Sequence, residues 1–335
     1  MTLGKISPKE HPRLTVLGGG TGLPVLLAGL KRAAFSVSAI VTVADDGGSS
    51  GSIRSSIKTI PPGDIRNCLV ALSALPPIYK DIFQYRFALT DQEFSGHTVG
   101  NLLIAAVSEM QGDVYQALTM LGELMKVQGT VLPASEQALC LRARFQDGVE
   151  VEGETAIVAR RQPIERVSVF ARDAAGRTME PQAGRGVVEA IMNSDMIILG
   201  PGSLYTSILP NICIPEIRQA LLKTKAPLVY LVNIMTQLGE TEQFSDADHV
   251  RVIHQHLGKK ALNAVLLNNK VVPKAYIHRP DSPDYLVQVS HDAKGLAEEC
   301  DQIFQTDLLD LKPQGVYHDQ QKLVRALLNY YEELC

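Results

Sequence analysis

Tryptophan is absent from the chain, aromatic residues make up only 5% of it, and charged residues stand at 20%, somewhat below the ~25% of an average globular protein. With a hydrophobic share of 45% this is still a folded composition, so disorder over most of the length is excluded. Basic residues are not in excess: 32 Lys and Arg stand against 36 Asp and Glu, a net charge of −4. A dedicated nucleic-acid binder would carry a surplus of cations, and nucleic acid is therefore not an expected partner, although a local basic groove stays open. The five cysteines (Cys68, Cys140, Cys213, Cys300, Cys335) are odd in number, widely spaced and without a C-x-x-C pair, which argues against a zinc or redox motif and for reduced thiols. No apolar run approaches the ~20 residues that span a bilayer. The start, MTLGKISPKEHPR, is polar and unlike a signal peptide, so a cytoplasmic location without a membrane span is expected.

At 335 residues the chain can build one large core or two modest ones. Short buried-strand runs alternate with helix-length segments, the pattern of a parallel sheet covered by helices. Leu14 to Leu17 reads as a strand, Leu23 to Ala33 as a helix and Val37 to Val43 as a second strand. Met196 to Leu199, Leu228 to Val232 and Val265 to Leu267 are expected to extend the same sheet. Between them, over 131–180, alternation around Asp147-Gly148 suggests hairpins rather than helices. The expected fold class is thus α/β, a Rossmann-like, doubly wound and mainly parallel sheet. A tail over 1–12 precedes a core formed by 13–130 and 181–335, with a β-rich insertion at 131–180. Near the C-terminus, Asp319 can cap a helix on which Leu323, Leu327, Tyr330, Tyr331 and Leu334 share a packing face.

Glycine is what the chain concentrates. Eight glycines (Gly18, Gly19, Gly20, Gly22, Gly29, Gly47, Gly48, Gly51) fall within 34 consecutive residues. The segment Gly18-Gly19-Gly20-Thr21-Gly22 joins the first strand to the first helix, where an α/β sheet binds ligands. Its glycines permit close approach and its free N–H groups favour phosphate; a tight turn with no ligand is the plainer alternative. The dinucleotide pattern G-x-G-x-x-G fails because its third glycine would fall on Leu23, and the P-loop pattern fails because no Lys-Ser or Lys-Thr follows.

The second strand runs into Asp45-Asp46-Gly47-Gly48-Ser49. Two carboxylates there can bind ribose hydroxyls, accept a proton or hold Mg²⁺, or can serve only as turn residues. Further on, Pro61-Pro62-Gly63-Asp64-Ile65-Arg66-Asn67 precedes a helix expected over Cys68 to Ala74. Asp64 suits its cap and Arg66 offers a fork for phosphate or carboxylate. Gly96-His97-Thr98-Val99-Gly100-Asn101 again precedes a helix, and Asn101 either caps it or reads a base or sugar edge. Gly200-Pro201-Gly202-Ser203 follows a strand and makes a second glycine loop, with Ser203 available to a diphosphate or sugar. Asn233 and Thr236 follow the next strand and are expected to face the same cleft. Ser245 and Asp248 form a capping box for a helix ending at Gly258. His249 beside them is not expected to ligate a metal.

The strings GGGTGLPVLLAGL, VTVADDGGSSGSIR, PPGDIRNCLVAL, GHTVGNLLIAA, GPGSLYTSILPN and NIMTQLGETEQFSDADHV run in order from Gly18 to Val250. With VYHDQQKL near the C-terminus, they closely resemble the YvcK-like gluconeogenesis factors. That group is a branch of the superfamily that includes the 2-phospho-L-lactate transferase CofD. Leu238 stands where the family pattern has proline, and Ser135 where it has threonine. The resemblance implies a Rossmann-like core that binds a nucleotide or nucleotide sugar such as UDP-N-acetylglucosamine. It also implies roles in growth on gluconeogenic carbon sources and in cell shape, with cell-envelope synthesis proteins as partners and self-association left open. Carried over by residue, Gly19 to Gly22 would cradle phosphate, Asp45 and Asp46 would face the reacting or metal-binding side, and Asn101 would help hold the nucleotide.

Two functions of different class follow. One is a regulatory receptor for a UDP-sugar that catalyses nothing. The other is a CofD-like phosphotransferase in which Asp45 or Asp46, with Mg²⁺, stabilises a diphosphate under attack by an acceptor hydroxyl.

Overall fold

The computed structural model describes residues 11–33, 35–57, 59–88, 94–173, 175–277 and 285–334; most of the expected N-terminal tail, and Cys335, lie outside them. The strands are β1 (Arg13–Gly18), β2 (Ser36–Val41), β3 (Thr130–Pro133), β4 (Leu139–Phe145), β5 (Glu150–Glu152), β6 (Ile164–Arg172), β7 (Thr178–Met179), β8 (Met196–Leu199), β9 (Leu228–Leu231), β10 (Met235–Gln237), β11 (Ala264–Asn268), β12 (Tyr285–Gln288), β13 (Gln302–Thr306), β14 (Leu309–Lys312) and β15 (Gly315–His318). The helices are α1 (Gly22–Arg32), α2 (Gly48–Ile57), α3 (Gly63–Leu72), α4 (Pro77–Gln84), α5 (Val99–Gln111), α6 (Val114–Leu124), α7 (Glu154–Arg160), α8 (Val187–Met192), α9 (Leu209–Ile212), α10 (Pro215–Lys223), α11 (Asp246–Leu257), α12 (Ala293–Glu299) and α13 (Gln320–Leu334). A single π-helical turn, Leu204–Ile208, leads into α9.

Strands β8 (MIIL) and β9 (LVYL) are buried at every position, as strands must be when helices cover both faces of a parallel sheet. Seven parallel strands take the order β13-β11-β9-β8-β1-β2-β3. The chain therefore runs outward from β1 to β3, returns, and runs outward again from β8 to β13. The reversal leaves a crevice beyond the carboxyl ends of β1 and β8, the place where a doubly wound sheet takes its ligand. Helix α1 buries Leu23, Leu26, Leu27 and Leu30, the i, i+3, i+4, i+7 stripe of a helix laid on a sheet.

The C-terminal helix α13 buries Leu323, Leu327, Tyr330, Tyr331 and Leu334, as its spacing predicts, and Asp319 accepts from the Gln321 and Lys322 amides at its start. It lies against α1 at Gly29, where a Cβ would stand 2.7 Å from Val324 Cγ2. That close approach brings the preceding hairpin, β14 paired with β15, over the glycine loop nearly 300 residues away in sequence.

The segment 131–180 is mixed. It opens with β3, which pairs with β2 and closes the edge of the central sheet. An antiparallel sheet of order β5-β4-β6-β7 follows, and β4 turns into β5 through Asp147-Gly148, with Gly148 at φ +83°. The expectation of hairpins without helices fails after Gly153. This residue, at φ +94°, ends the extended run, and Glu154–Arg160 coil into α7. Alternating apolar residues cannot report such a break, because a left-handed glycine resets the backbone without changing the pattern. Among the described residues Cys68, Cys213 and Cys300 are free thiols, and burial pushes the Cys213 thiol up to about 12. No helix among them is long and apolar enough to cross a membrane.

Candidate functional site

The two glycine loops meet at the crevice between β1 and β8. A Cβ on Gly18 would lie 3.1 Å from the Pro201 carbonyl oxygen, one on Gly22 3.1 Å from the Pro201 ring, and one on Gly202 3.1 Å from the Gly19 carbonyl oxygen. Gly20, at φ +67°, turns the chain into α1. The pair of loops thus depends on backbone passing backbone at distances that side chains would prevent. Gly20, Thr21, Gly22, Gly202, Ser203 and Asn233 line a cavity of about 130 Å³ here. Ligand pockets typically run to ~300–1,000 Å³, so a nucleotide-sized molecule would extend beyond it along the strand ends.

Asp64 is engaged otherwise than expected. Helix α3 starts at Gly63 rather than Cys68, and Asp64 makes no cap bond; instead its Oδ2 accepts the Gly20 N–H at 2.5 Å. Burial, and then the neighbouring Asp45, push its carboxyl above the ordinary aspartate range, against the lowering pull of the Gly20 amide and Arg66. Asp45 accepts from the Gly47 amide at 2.8 Å. Asp46 Oδ1 accepts from the backbone N–H and the hydroxyl of Thr155, at 3.0 and 2.9 Å, which ties the end of β2 to the start of α7. Gly48, at φ +49°, begins α2.

Arg66 is not a free fork. It is 6% exposed, and its Nη1 donates to Thr98 Oγ1 and Asn101 Oδ1 at 2.5 and 2.7 Å while Nη2 donates to Asn67 Oδ1 at 2.8 Å. Burial, with Arg86 nearby, lowers it to about 10, so it stays charged at neutral pH. Thr98, not Asn101, caps α5. Asn101 lies one turn inside, 1% exposed, and donates from Nδ2 to Ser49 Oγ at 3.0 Å. Ser49 also meets His97 Nδ1 at 3.0 Å. Ser49, Arg66, Asn67 and Asn101 are therefore one hydrogen-bonded network, buried at Arg66 and Asn101 and half-buried at Ser49 and Asn67, which ties α2, α3 and α5 together. Thr236 faces away: its hydroxyl exchanges hydrogen bonds with the Val287 backbone in the β10–β12 pair.

Several residues of the cleft escaped sequence reasoning. Gln237 lines the cavity and donates from Nε2 to Ser203 Oγ at 2.8 Å, while its buried Oε1 has no partner among the described residues. Lys312, Tyr317 and His318 come from the β14–β15 hairpin, and the string VYHDQQKL already held the last two. His318 Nε2 donates to the Val232 carbonyl at 3.2 Å, and burial pushes its imidazole down to about 4, so it is neutral. On the β2 side, burial and then Asp45, Glu240, Asp64 and Asp46 push Glu154 up to about 9, and burial takes Glu240 up to about 7. These five carboxylates surround the loop ends, and no local motif marks the two glutamates. His249 is buried, with Nδ1 2.8 Å from the Ser245 carbonyl at the capping box of α11.

The model of the family described as 2-phospho-L-lactate transferase CofD matches residues 14–309, a span that contains both glycine loops and every carboxylate just described. The chain belongs to the CofD family. Within the CofD family it is 49% identical over 320 residues to a Streptococcus pyogenes protein named "Putative gluconeogenesis factor", covering 96% of this chain and 98% of that one. It is 44% identical over 323 residues to a Listeria monocytogenes protein named "Gluconeogenesis factor", covering 96% of each. A crystal structure of a Bacillus halodurans protein superimposes with a TM-score of 0.89 at 36% identity, covering 95% of this chain and 99% of that one.

Proposed function

We propose that the protein is a nucleotide-sugar-binding regulatory protein of the gluconeogenesis-factor type, with a UDP-sugar such as UDP-N-acetylglucosamine as its ligand. The observation that carries this reading is the meeting of the two glycine loops, Gly18–Gly22 and Gly200–Ser203, at the reversal point of the sheet. Loop amides and the start of α1 suit a diphosphate, with Lys312 as the one cation of the cavity lining among the described residues. Asp45, at the end of β2, is where a doubly wound sheet holds a ribose. The proposal extends to growth on gluconeogenic carbon sources, cell shape, a cytoplasmic setting and contacts with cell-envelope synthesis proteins, and the kinship with proteins named gluconeogenesis factors supports the first of these.

Among the described residues no three His, Cys, Asp or Glu side chains converge to hold a metal by themselves. Mg²⁺ therefore fits here only beside Asp45 and Asp46 with the ligand's phosphate oxygens completing its shell, as Mg²⁺ usually binds. It would supply positive charge where the diphosphate meets the carboxylates. The same carboxylate rim favours a second reading, a CofD-like transfer of a phospho-group to an acceptor hydroxyl.

A thermal-shift panel of UDP-N-acetylglucosamine, UDP-glucose, GDP and NAD, with and without Mg²⁺, tests the first reading. Ligand at one hundred times its Kd adds ~2.7 kcal/mol, and in a chain of this size each kcal/mol raises Tm by ~2–4 °C. A shift of several degrees with the uridine compounds is expected, and no shift with either of them would overturn it. Turnover of a diphosphate donor, followed by phosphorus NMR, would favour the transferase.

A further inference from the structure

A second cavity, of about 380 Å³, opens beyond the carboxyl ends of β9, β11 and β13, and shares Asn233 and Ile234 with the glycine cleft. Its ionisable side chains are Asp246 and His291, and they are paired: Asp246 Oδ2 lies 2.5 Å from His291 Nδ1. Asp246 is 2% exposed, and its Oδ1 accepts the amides of Ala247 and Asp292 at 2.8 and 2.9 Å. A carboxylate so placed accepts the Nδ1–H of the ring, which leaves Nε2 as the unprotonated nitrogen. Gln305 Nε2 stands 3.0 Å from it. Among the described residues no Lys or Arg lines the cavity, so these residues offer nothing with which to neutralise a phosphate or carboxylate. What its described lining offers a ligand is uncharged: the carboxamides of Asn233 and Asn269 and the hydroxyl of Ser290, none with a side-chain partner among the described residues. A carboxamide both donates and accepts, which is the demand that vicinal hydroxyls make.

We propose that this cavity is a saccharide subsite, which takes the hexose of the nucleotide sugar while the diphosphate lies over the glycine loops. The inference rests on the nucleotide-sugar reading above and adds to it which end of the ligand goes where. The ribose is the other hydroxyl-rich group, and it belongs on the opposite side of the crevice, at the acidic end of β2. Counted from β8 at the edge of the crevice, β9, β11 and β13 are one, two and three places away, at ~4.8 Å each, a distance a diphosphate-linked hexose can reach.

Titration calorimetry of UDP and UDP-N-acetylglucosamine against the wild type, His291→Phe and Asn269→Leu tests the assignment. Asn269 is exposed and outside the Asp246 pair, so its replacement leaves the fold intact even if His291→Phe does not. The expected result is a loss of roughly tenfold in affinity for the sugar nucleotide, the scale of unpaired polar groups, with UDP affinity unchanged. Equal losses for both ligands would move the ribose here and overturn the hexose assignment. Unchanged affinity for both in Asn269→Leu and in folded His291→Phe would remove the cavity from the binding site and leave the nucleotide-sugar reading standing. Absence of binding by either uridine compound in the wild type would overturn both.

Discussion

The Asp64 carboxylate accepts the Gly20 N–H at 2.5 Å, so one amide of the phosphate-type loop is already engaged by an acid of the protein itself. An incoming diphosphate must either share that corner with Asp64 or displace it. The carboxyl is raised by burial and by Asp45, which shows that negative charge is already disfavoured there. Asp64→Asn keeps an acceptor for Gly20 and removes the charge. Two unit charges at ~4 Å interact by about 1 kcal/mol even at the screening of water, so UDP affinity should rise roughly fivefold in titration calorimetry. A large fall instead would mean that the carboxylate itself contacts the ligand or its cation.

Asn101→Ala should act on stability before it acts on binding. The substitution leaves Arg66 Nη1 with Thr98 as its remaining acceptor and deprives Ser49 of a donor, in a place where Asn101 is 1% exposed. Unmade buried hydrogen bonds cost about 1–3 kcal/mol, which urea denaturation would register. Asn101→Asp retains the acceptor for Arg66 and should recover part of the loss. If the alanine variant were as stable as the wild type, the network would not be holding α2, α3 and α5 together.

The contrast between Asp64 and Asn101 shows where sequence reasoning reaches and where it stops. Strand β1, helix α1 and the face of α13 were readable because apolar spacing is a local property, and the glycine loops were readable because close backbone passage leaves a compositional trace. Partners are not local. Nothing within a few residues of Asp64 says that it will spend its oxygen on Gly20, 44 residues earlier, rather than on the helix it precedes. Thr98 took the cap that Asn101 was offered, since the cap goes to whichever oxygen the backbone places before the first turn. Gln237, Glu154 and the β14–β15 hairpin reach the cleft only through tertiary packing, and α7 is hidden behind one left-handed glycine.

Gln237→Leu separates a ligand contact from a structural one. Its buried Oε1 lacks a partner among the described residues while Nε2 holds Ser203. A buried orphan acceptor is costly in the free protein and valuable once a ligand supplies a donor. The leucine variant should keep or gain thermal stability without ligand and lose roughly tenfold in affinity for the nucleotide sugar. Undiminished affinity would show that the orphan oxygen does not meet the ligand.

Glu240 and His318 should pull stability in opposite directions with pH. Glu240 is raised to about 7 in the fold, against about 4.3 in an unfolded chain. Between these values the native state binds more protons, so its contribution is full below the unfolded pKa and is lost as pH rises toward 7. His318 is lowered to about 4, against about 6.5 unfolded. There the unfolded state binds more protons, and stability is lost as pH falls from 6.5 toward 4. At ~1.4 kcal/mol per pKa unit, each effect is at most about 4 kcal/mol. Urea denaturation across pH 4 to 8 should show Glu240→Gln gaining on the wild type as pH rises from about 4.3 toward 7, and His318→Asn gaining on it as pH falls from 6.5 toward 4. Parallel profiles for all three proteins would mean that neither group changes its protonation on folding.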